Sequence, residues 1–243
     1  IVKFSEKYLY PPEILKRLDF NKSPAIFKPK ISAAQPGEDW MVVRPLQRSD
    51  YDKGFLQLLG QLTSVGNVPR KQFDERFTKM KQSGGYYVTV IEDTRISKLI
   101  GAATLTIEQK FIHNCSLRGR LEDVVVNDTY RGKQLGKLIV VTVSLLAQEL
   151  GCYKMSLDCK DKLIKFYETL GYKMEPGNSN AMNMRLVCLT TIMTIIFFRS
   201  FYASNVVTKQ RVLPLHALNN LRKFLQKSWQ NRLILHLCLT HGS

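Results

Sequence analysis

The chain has 243 residues, 44% of them hydrophobic and 23% charged. That suffices for a sizeable core in one globular domain with something appended, or in two small domains. A formal charge of +16 raises nucleic acid or an anionic membrane as partners, but residues 187–243 hold seven Lys/Arg and no Asp/Glu, so the tail carries +7 and the rest +9. An excess of that size in the main body suits an enzyme for phosphorylated substrates as well as a nucleic-acid binder. Cys115, Cys152, Cys159, Cys188 and Cys238 are odd in number and lack CxxC or Cys/His metal spacing, which points to a reducing compartment and no structural metal. The N-terminus lacks the pattern of a signal peptide, and the chain begins at Ile1 rather than Met, leaving its true start open.

Residues 1–39, with Pro11, Pro12, Pro24, Pro29 and Pro36, read as a mostly irregular arm with a short helix over Pro12–Leu18. "WMVVRPL" (40–46) reads as a first strand. From an N-cap at Ser49, Phe55, Leu58, Leu59 and Leu62 share one helical face, and "PRKQFDERFTKMKQSGG" gives a second helix, with Pro69 at its start and Gly84 past its end. "YYVTVIED" and "KLIGAATLTIEQKF", joined by "DTRIS", form a hairpin, and "GRLEDVVV" adds a strand. Leu135, Leu138, Ile139, Thr142, Leu145, Leu146 and Leu150 then recur at helical spacing up to Gly151. "YKMSLDC" is strand, "DKLIKFYETLG" helix, and "YKM" (172–174) begins another strand. The strand–helix–strand crossing implies a parallel pair, so the fold class is α/β (α+β), a mixed, mostly antiparallel sheet with helices on both sides.

"VVVNDTYRGKQLGKLI" (124–139) empties a β-branched strand into a Gly- and Lys-bearing turn that opens the long helix. Unpaired N–H groups and the positive end of the dipole make such a turn a seat for phosphate. A Walker loop needs four residues between its glycines and Ser/Thr after the lysine; here Gly132 and Gly136 are three apart and Leu138 follows Lys137. The dinucleotide fingerprint GxGxxG is absent too, and the sheet before it is antiparallel.

The turn resembles the coenzyme A pyrophosphate loop of the GNAT acetyltransferase superfamily, [QR]-x-x-G-x-[GA], in which Arg131 and Gly136 match and Gln134 stands where the general pattern has Gly. Gln134 is a habit of the glucosamine 6-phosphate N-acetyltransferase branch. "GQLTSVG", "SGGYYVTVIED", "IEQKFIHNC", "GRLEDVVV", "RGKQLGK", "CYKMSLDC" and "KFYETLGYKM" follow that branch's order and spacing over about residues 10 to 186. The resemblance implies a GNAT fold over residues 40–186 and transfer of acetyl from acetyl-CoA to the 2-amine of D-glucosamine 6-phosphate, on the route to UDP-N-acetylglucosamine. It implies no metal and no nucleic acid.

The coenzyme's phosphates are expected on Arg131, Gly132, Lys133, Gln134, Leu135, Gly136 and Lys137, with Tyr167, Glu168 and Thr169 as further coenzyme contacts. An aimed N–H near the end of Val124, Val125 and Val126 could polarise the thioester carbonyl, where in this superfamily the neighbouring strand splays away. Glu122, Asp123 or the backbone carbonyl of Asp158 could accept or orient the amine hydrogens, the family favouring the last; on sequence alone such carboxylates are solvated or salt-bridged. Tyr167 is the residue that the family places near the sulfur to protonate the thiolate, although helical spacing alone reads it as core. By resemblance, the sugar phosphate is held by Thr63, Lys110, Phe111, Ile112, His113, Val124, Tyr153, Lys154 and Arg185. His113 reads equally as a neutral structural histidine.

The family is a homodimer with its active sites at the subunit interface and its last strand in dimer pairing. The resemblance ends near Leu186, so residues 187–243 read as an atypical extension from an alternative reading of the message, and deleting 190–243 is expected to raise solubility without loss of activity. "LVCLTTIMTIIFF" is thirteen residues, short of the ~18 to 20 needed to span a bilayer. The expected location is cytoplasmic, with peripheral endomembrane contact through the basic, partly amphipathic tail as an option. Two rival readings stand: a GNAT enzyme for another amine, such as a protein N-terminus or polyamine, and a non-catalytic basic anion-binding module.

Overall fold

The computed structural model describes residues 7–130, 132–177 and 184. Arg131, Arg185 and the extension from residue 187 on, with Cys188 and Cys238, lie outside them. Five strands, β1 (Met41–Pro45), β2 (Tyr86–Asp93), β3 (Lys98–Gln109), β4 (Leu117–Val126) and β5 (Cys152–Ser156), form one sheet in sequence order. The first four are antiparallel, and β4 and β5 are parallel. Helices α1 (Glu13–Lys16), α2 (Phe55–Gly60), α3 (Arg70–Ser83), the short turn α4 (Ile112–Cys115), α5 (Leu135–Glu149) and α6 (Ile164–Glu168) complete the order.

The crossover through α5 makes β4 and β5 parallel, as the sequence spacing predicts. From Leu138 to Val143 every residue of α5 is buried, so this helix is apolar nearly all round, which is the pattern of a helix enclosed in a core. Thr142 satisfies its buried hydroxyl on the Leu138 carbonyl at 2.7 Å. Gly119 of β4 permits the close approach: a Cβ there would lie 3.0 Å from Leu105 Cδ1, 3.1 Å from Met155 Cγ and 3.4 Å from Ala147 Cβ.

Two local expectations differ from the structure. The first helix is broken in two: a 3-10 turn at Arg48–Tyr51, capped by Gln47 and Asp50 rather than by Ser49, and then α2, entered through left-handed Gly54 at φ 83°. Leu62 therefore lies beyond its end. Tyr172–Met174 form no strand; the Tyr172 hydroxyl lies 2.8 Å from Ser144 Oγ on α5 and 3.7 Å from Met155 Sδ on β5. The N-terminal arm is irregular but not peripheral, since Leu9, Tyr10, Leu15, Ile31 and Ala33 are all buried in the core. Its path is fixed by Leu9 N–H donating to Leu46 O at 2.9 Å and by a 2.6 Å bond between the Tyr10 and Thr89 hydroxyls.

Candidate active site

Strand β4 outruns β5 while remaining paired with β3. The parallel pairing extends from Leu117↔Cys152 to Arg120↔Ser156, after which β5 ends and β4 continues to Val126. The register against β3 jumps from Ala102↔Val125 to Thr104↔Glu122, and Asp123 at φ 52° occupies the bulge. A wedge therefore opens between the two strands. Among the described residues, no strand pairs with the β5-facing edge of Val124, Val125 and Val126, which leaves backbone polar groups available there.

The start of α5 follows closely. Gly132 at φ 84° and Gln134 at φ 58° are both left-handed, and the first intrahelical bond runs from Leu138 N–H to Gln134 O at 2.9 Å. The N–H groups of Leu135, Gly136 and Lys137 thus have no intrahelical acceptor and project from the helix end. Leu135 is buried and offers only its backbone. A Cβ on Gly132 would meet nothing within 4 Å and one on Gly136 only Phe166 Cζ at 3.8 Å, so open space lies in front of the turn. Lys133 pairs with Glu38 at 2.8 Å and lies 5.5 Å from the Trp40 ring centre. Uncharged N–H donors, two lysines and an open cradle fit a pyrophosphate.

Phe166, which faces Gly136, precedes Tyr167 in α6. Tyr167 is 8% exposed and packs edge-on against Phe166 and Tyr172 at 5.1 and 5.9 Å. Burial first, and then the neighbouring Cys159, pushes its phenol above the ordinary tyrosine value. Glu168 ends α6, and Thr169 turns its hydroxyl back onto the Phe166 carbonyl at 2.7 Å.

The carboxylates meet at one cation. Arg120 donates through Nε to Glu122 and through its terminal nitrogen to Asp158, which lies two residues beyond the end of β5. Arg120 was not among the residues singled out from the sequence. The signal available was alternation: residues 120 and 122 share a face of β4. Protein packed around Asp123, and secondarily the Glu122 charge, pushes the Asp123 carboxyl up. Thr63 follows α2, its N–H donating to Leu59 O at 3.2 Å, and Gln61 accepts from Asp128 N–H at 3.3 Å.

The residues expected on the sugar phosphate form a second group. Lys110 to Ser116 make the β3–β4 turn, with His113, Asn114 and Cys115 all left-handed and Phe111 and Ile112 exposed. His113 lies 4.5 Å from Tyr153, ring centre to ring centre. Lys110 pairs with Glu108, and Lys154 with Glu175 at 2.9 Å. This group flanks Leu117, whereas the wedge begins beyond Arg120. At ~3.3 Å per residue, Leu117 and Val124 are at most roughly 23 Å apart, the bulge at Asp123 shortening the span. A groove of about 1000 Å³ follows β5, lined among others by Arg118, Arg120, Tyr153, Asp158 and Tyr167. Among the described residues no cluster of His, Cys, Asp and Glu is arranged to hold a metal ion, and no helix is long and apolar enough to cross a membrane.

The model of the acetyltransferase (GNAT) family matches residues 49–172. A probable glucosamine 6-phosphate N-acetyltransferase of Drosophila melanogaster is 75% identical over 180 residues, covering 74% of this chain and 82% of the relative. The chain belongs to the GNAT acetyltransferases, in their glucosamine 6-phosphate branch. Glucosamine 6-phosphate N-acetyltransferase of Arabidopsis thaliana is 42% identical over 130 residues, covering 53% of this chain and 87% of that one. Its crystal structure superposes with a TM-score of 0.58 at 38% identity, over 60% of this chain and 99% of that chain. A Trypanosoma brucei acetyltransferase structure gives 0.56 at 31%, again over 60% and 99%.

Proposed function

We propose that the chain acetylates the 2-amine of D-glucosamine 6-phosphate with acetyl-CoA. The observation that carries this reading is the unpaired edge of β4 beyond Arg120, opening beside an α5 start built for phosphate. Acetyl-CoA supplies an activated thioester. The N–H groups of residues 135–137, with Lys133 and Lys137, hold its pyrophosphate, and Arg131 is assigned there by its place in the motif.

A backbone N–H of Val124–Val126 then faces the thioester carbonyl and donates to the oxygen as it gains charge. Attack by the neutral sugar amine needs orientation more than strong proton abstraction. Asp158 O, Glu122 and Asp123 surround the place where the amine arrives, and Arg120 fixes two of these residues. As the carbon–sulfur bond breaks, Tyr167 O–H supplies a proton or hydrogen bond to the departing thiolate. The amine's surplus proton leaves to solvent or to a carboxylate.

The two residue groups on β4 favour a homodimer. A sugar phosphate cannot extend over roughly 23 Å, so the turn around Lys110 and His113 serves a site completed by a second copy. Arg185 is assigned to the phosphate by the motif alone.

The test is thiol release from acetyl-CoA with glucosamine 6-phosphate, with unphosphorylated glucosamine, and with a panel of peptide and polyamine acceptors. A strong preference for the phosphosugar is expected. Equal rates with and without the phosphate would overturn the substrate assignment, and a preference for a peptide or polyamine would move it to that amine.

A further inference from the structure

Gln134 holds a left-handed backbone, φ 58° and ψ 16°, at the position that caps α5. Side chains disfavour that conformation, and an N-cap side chain usually turns back onto the first turn of its helix. Gln134 makes no such bond. Its amide crosses to the N-terminal arm instead. Nε2 donates to Lys28 O at 2.9 Å, and Oε1 accepts from Lys28 N–H at 3.3 Å, a reciprocal pair of the kind two strand residues exchange.

Three residues on, the contact is repeated. Lys137 Nζ donates to Ile26 O at 2.7 Å and lies 5.5 Å from the Phe27 ring centre. Phe27 meets Phe20 at 6.0 Å, and both pack against the core, so the arm is anchored where it touches the turn. A neutral carbonyl holds the Lys137 ammonium in place without cancelling its charge, and leaves two of its three hydrogens for another acceptor.

We propose that residues 26–28 and Gln134 form a clamp that makes the N-terminal arm the outer wall of the coenzyme turn, with Gln134 as a positioning residue for the coenzyme's phosphates. The inference rests on the acetyl-CoA reading of that turn. A Gly-bearing turn loses much conformational freedom when it orders around a ligand, and pre-ordering it lowers that cost. Fastening the turn to a segment rooted in the core is one way to pre-order it. It also explains why a side chain stands where the general pattern has glycine: the amide bonds to Lys28 offset the strain of the left-handed backbone.

The experiment compares wild type, Gln134→Ala and Gln134→Gly in the full chain. Both variants are expected to raise KM for acetyl-CoA by about 3- to 10-fold, the loss of one or two neutral hydrogen bonds, with kcat and the KM for the sugar changed less than about 2-fold. Trypsin cleavage after Lys30, followed by mass spectrometry, is expected to accelerate in both, and CoA is expected to slow it in wild type more than in the variants. Lys28 precedes proline and is a poor trypsin site, which makes the Lys30 cut diagnostic. Gln134→Gly relieves the backbone strain, so it keeps the test open if Gln134→Ala folds poorly. Wild-type KM and cleavage in Gln134→Gly would overturn the clamp. Failure of the wild type to bind CoA in calorimetry would overturn the coenzyme reading beneath it.

Discussion

The Tyr130 hydroxyl donates to Asp93 Oδ2 at 2.8 Å, tying the residue before the motif arginine to the end of β2. Arg95 grips the same carboxylate, Nε to Oδ1 at 3.1 Å and its terminal nitrogen to Oδ2 at 2.7 Å, and stacks on Trp40 at 3.6 Å. The coenzyme turn is thus fastened upstream to the sheet, as it is downstream to the arm. Tyr130→Phe is expected to cost about 0.5–1.5 kcal/mol in urea melts and to raise KM for acetyl-CoA by roughly 2- to 5-fold with kcat nearly unchanged. An unaltered KM would mean that the turn keeps its shape without this tie.

The same carboxylate sets an acid limit. Arg95 foremost, and Tyr130 after it, hold Asp93 down at about 2 against the effect of its burial. A depressed folded value stabilises fully above the unfolded value, ~3.9, and that contribution disappears as pH falls toward about 2. Melting temperature is expected to fall more steeply between about pH 4 and pH 2 in wild type than in Asp93→Asn, which lacks the titrating group. Parallel slopes in that window would contradict the linkage.

Tyr167, with its phenol raised by burial, stays protonated throughout the neutral range and can serve as a donor. Tyr167→Phe is expected to slow single-turnover acetyl transfer by about 10-fold or more, while the Kd for acetyl-CoA changes little. An unchanged single-turnover rate would remove the phenol from the chemistry.

How far the sequence carried this reading depends on what each feature is made of. The turn ahead of α5 was legible as a turn because Gly132 marks it, and α5 because its apolar repeat is long. Periodicity runs straight through from Ser49, whereas left-handed Gly54 starts helix α2 afresh. The strand expected to begin at Tyr172–Met174 is not formed by those residues, because β-propensity counts side-chain types and carries no information about backbone partners. The Lys28–Gln134 and Tyr130–Asp93 contacts join residues far apart in the chain, and no local pattern announces them. Arg120 carries no mark in the sequence beyond its alternation with Glu122 on one face of β4.

That cation yields another expectation. Arg120, Glu122 and Asp158 are partly exposed, so Arg120→Gln is expected to cost less than about 1 kcal/mol of stability. Activity should suffer more. With two carboxylates released at the wedge, kcat/KM for the phosphosugar is expected to fall about 5-fold or more while KM for acetyl-CoA holds. Equal losses for both substrates would mean that Arg120 only supports the fold.

The parting of β4 from β5 divides the enzyme's labour between two kinds of material. The half expected to handle the acyl donor is written largely in main chain: an edge left bare among the described residues, a bulge and a helix end, which most single side-chain replacements cannot erase. The half expected to choose the acceptor is written in side chains on a short exposed turn and the first residues of β5, where replacements are tolerated easily. Redirecting such a scaffold to a new amine should therefore call for changes around residues 110–116 and 153–154, with the donor machinery left untouched.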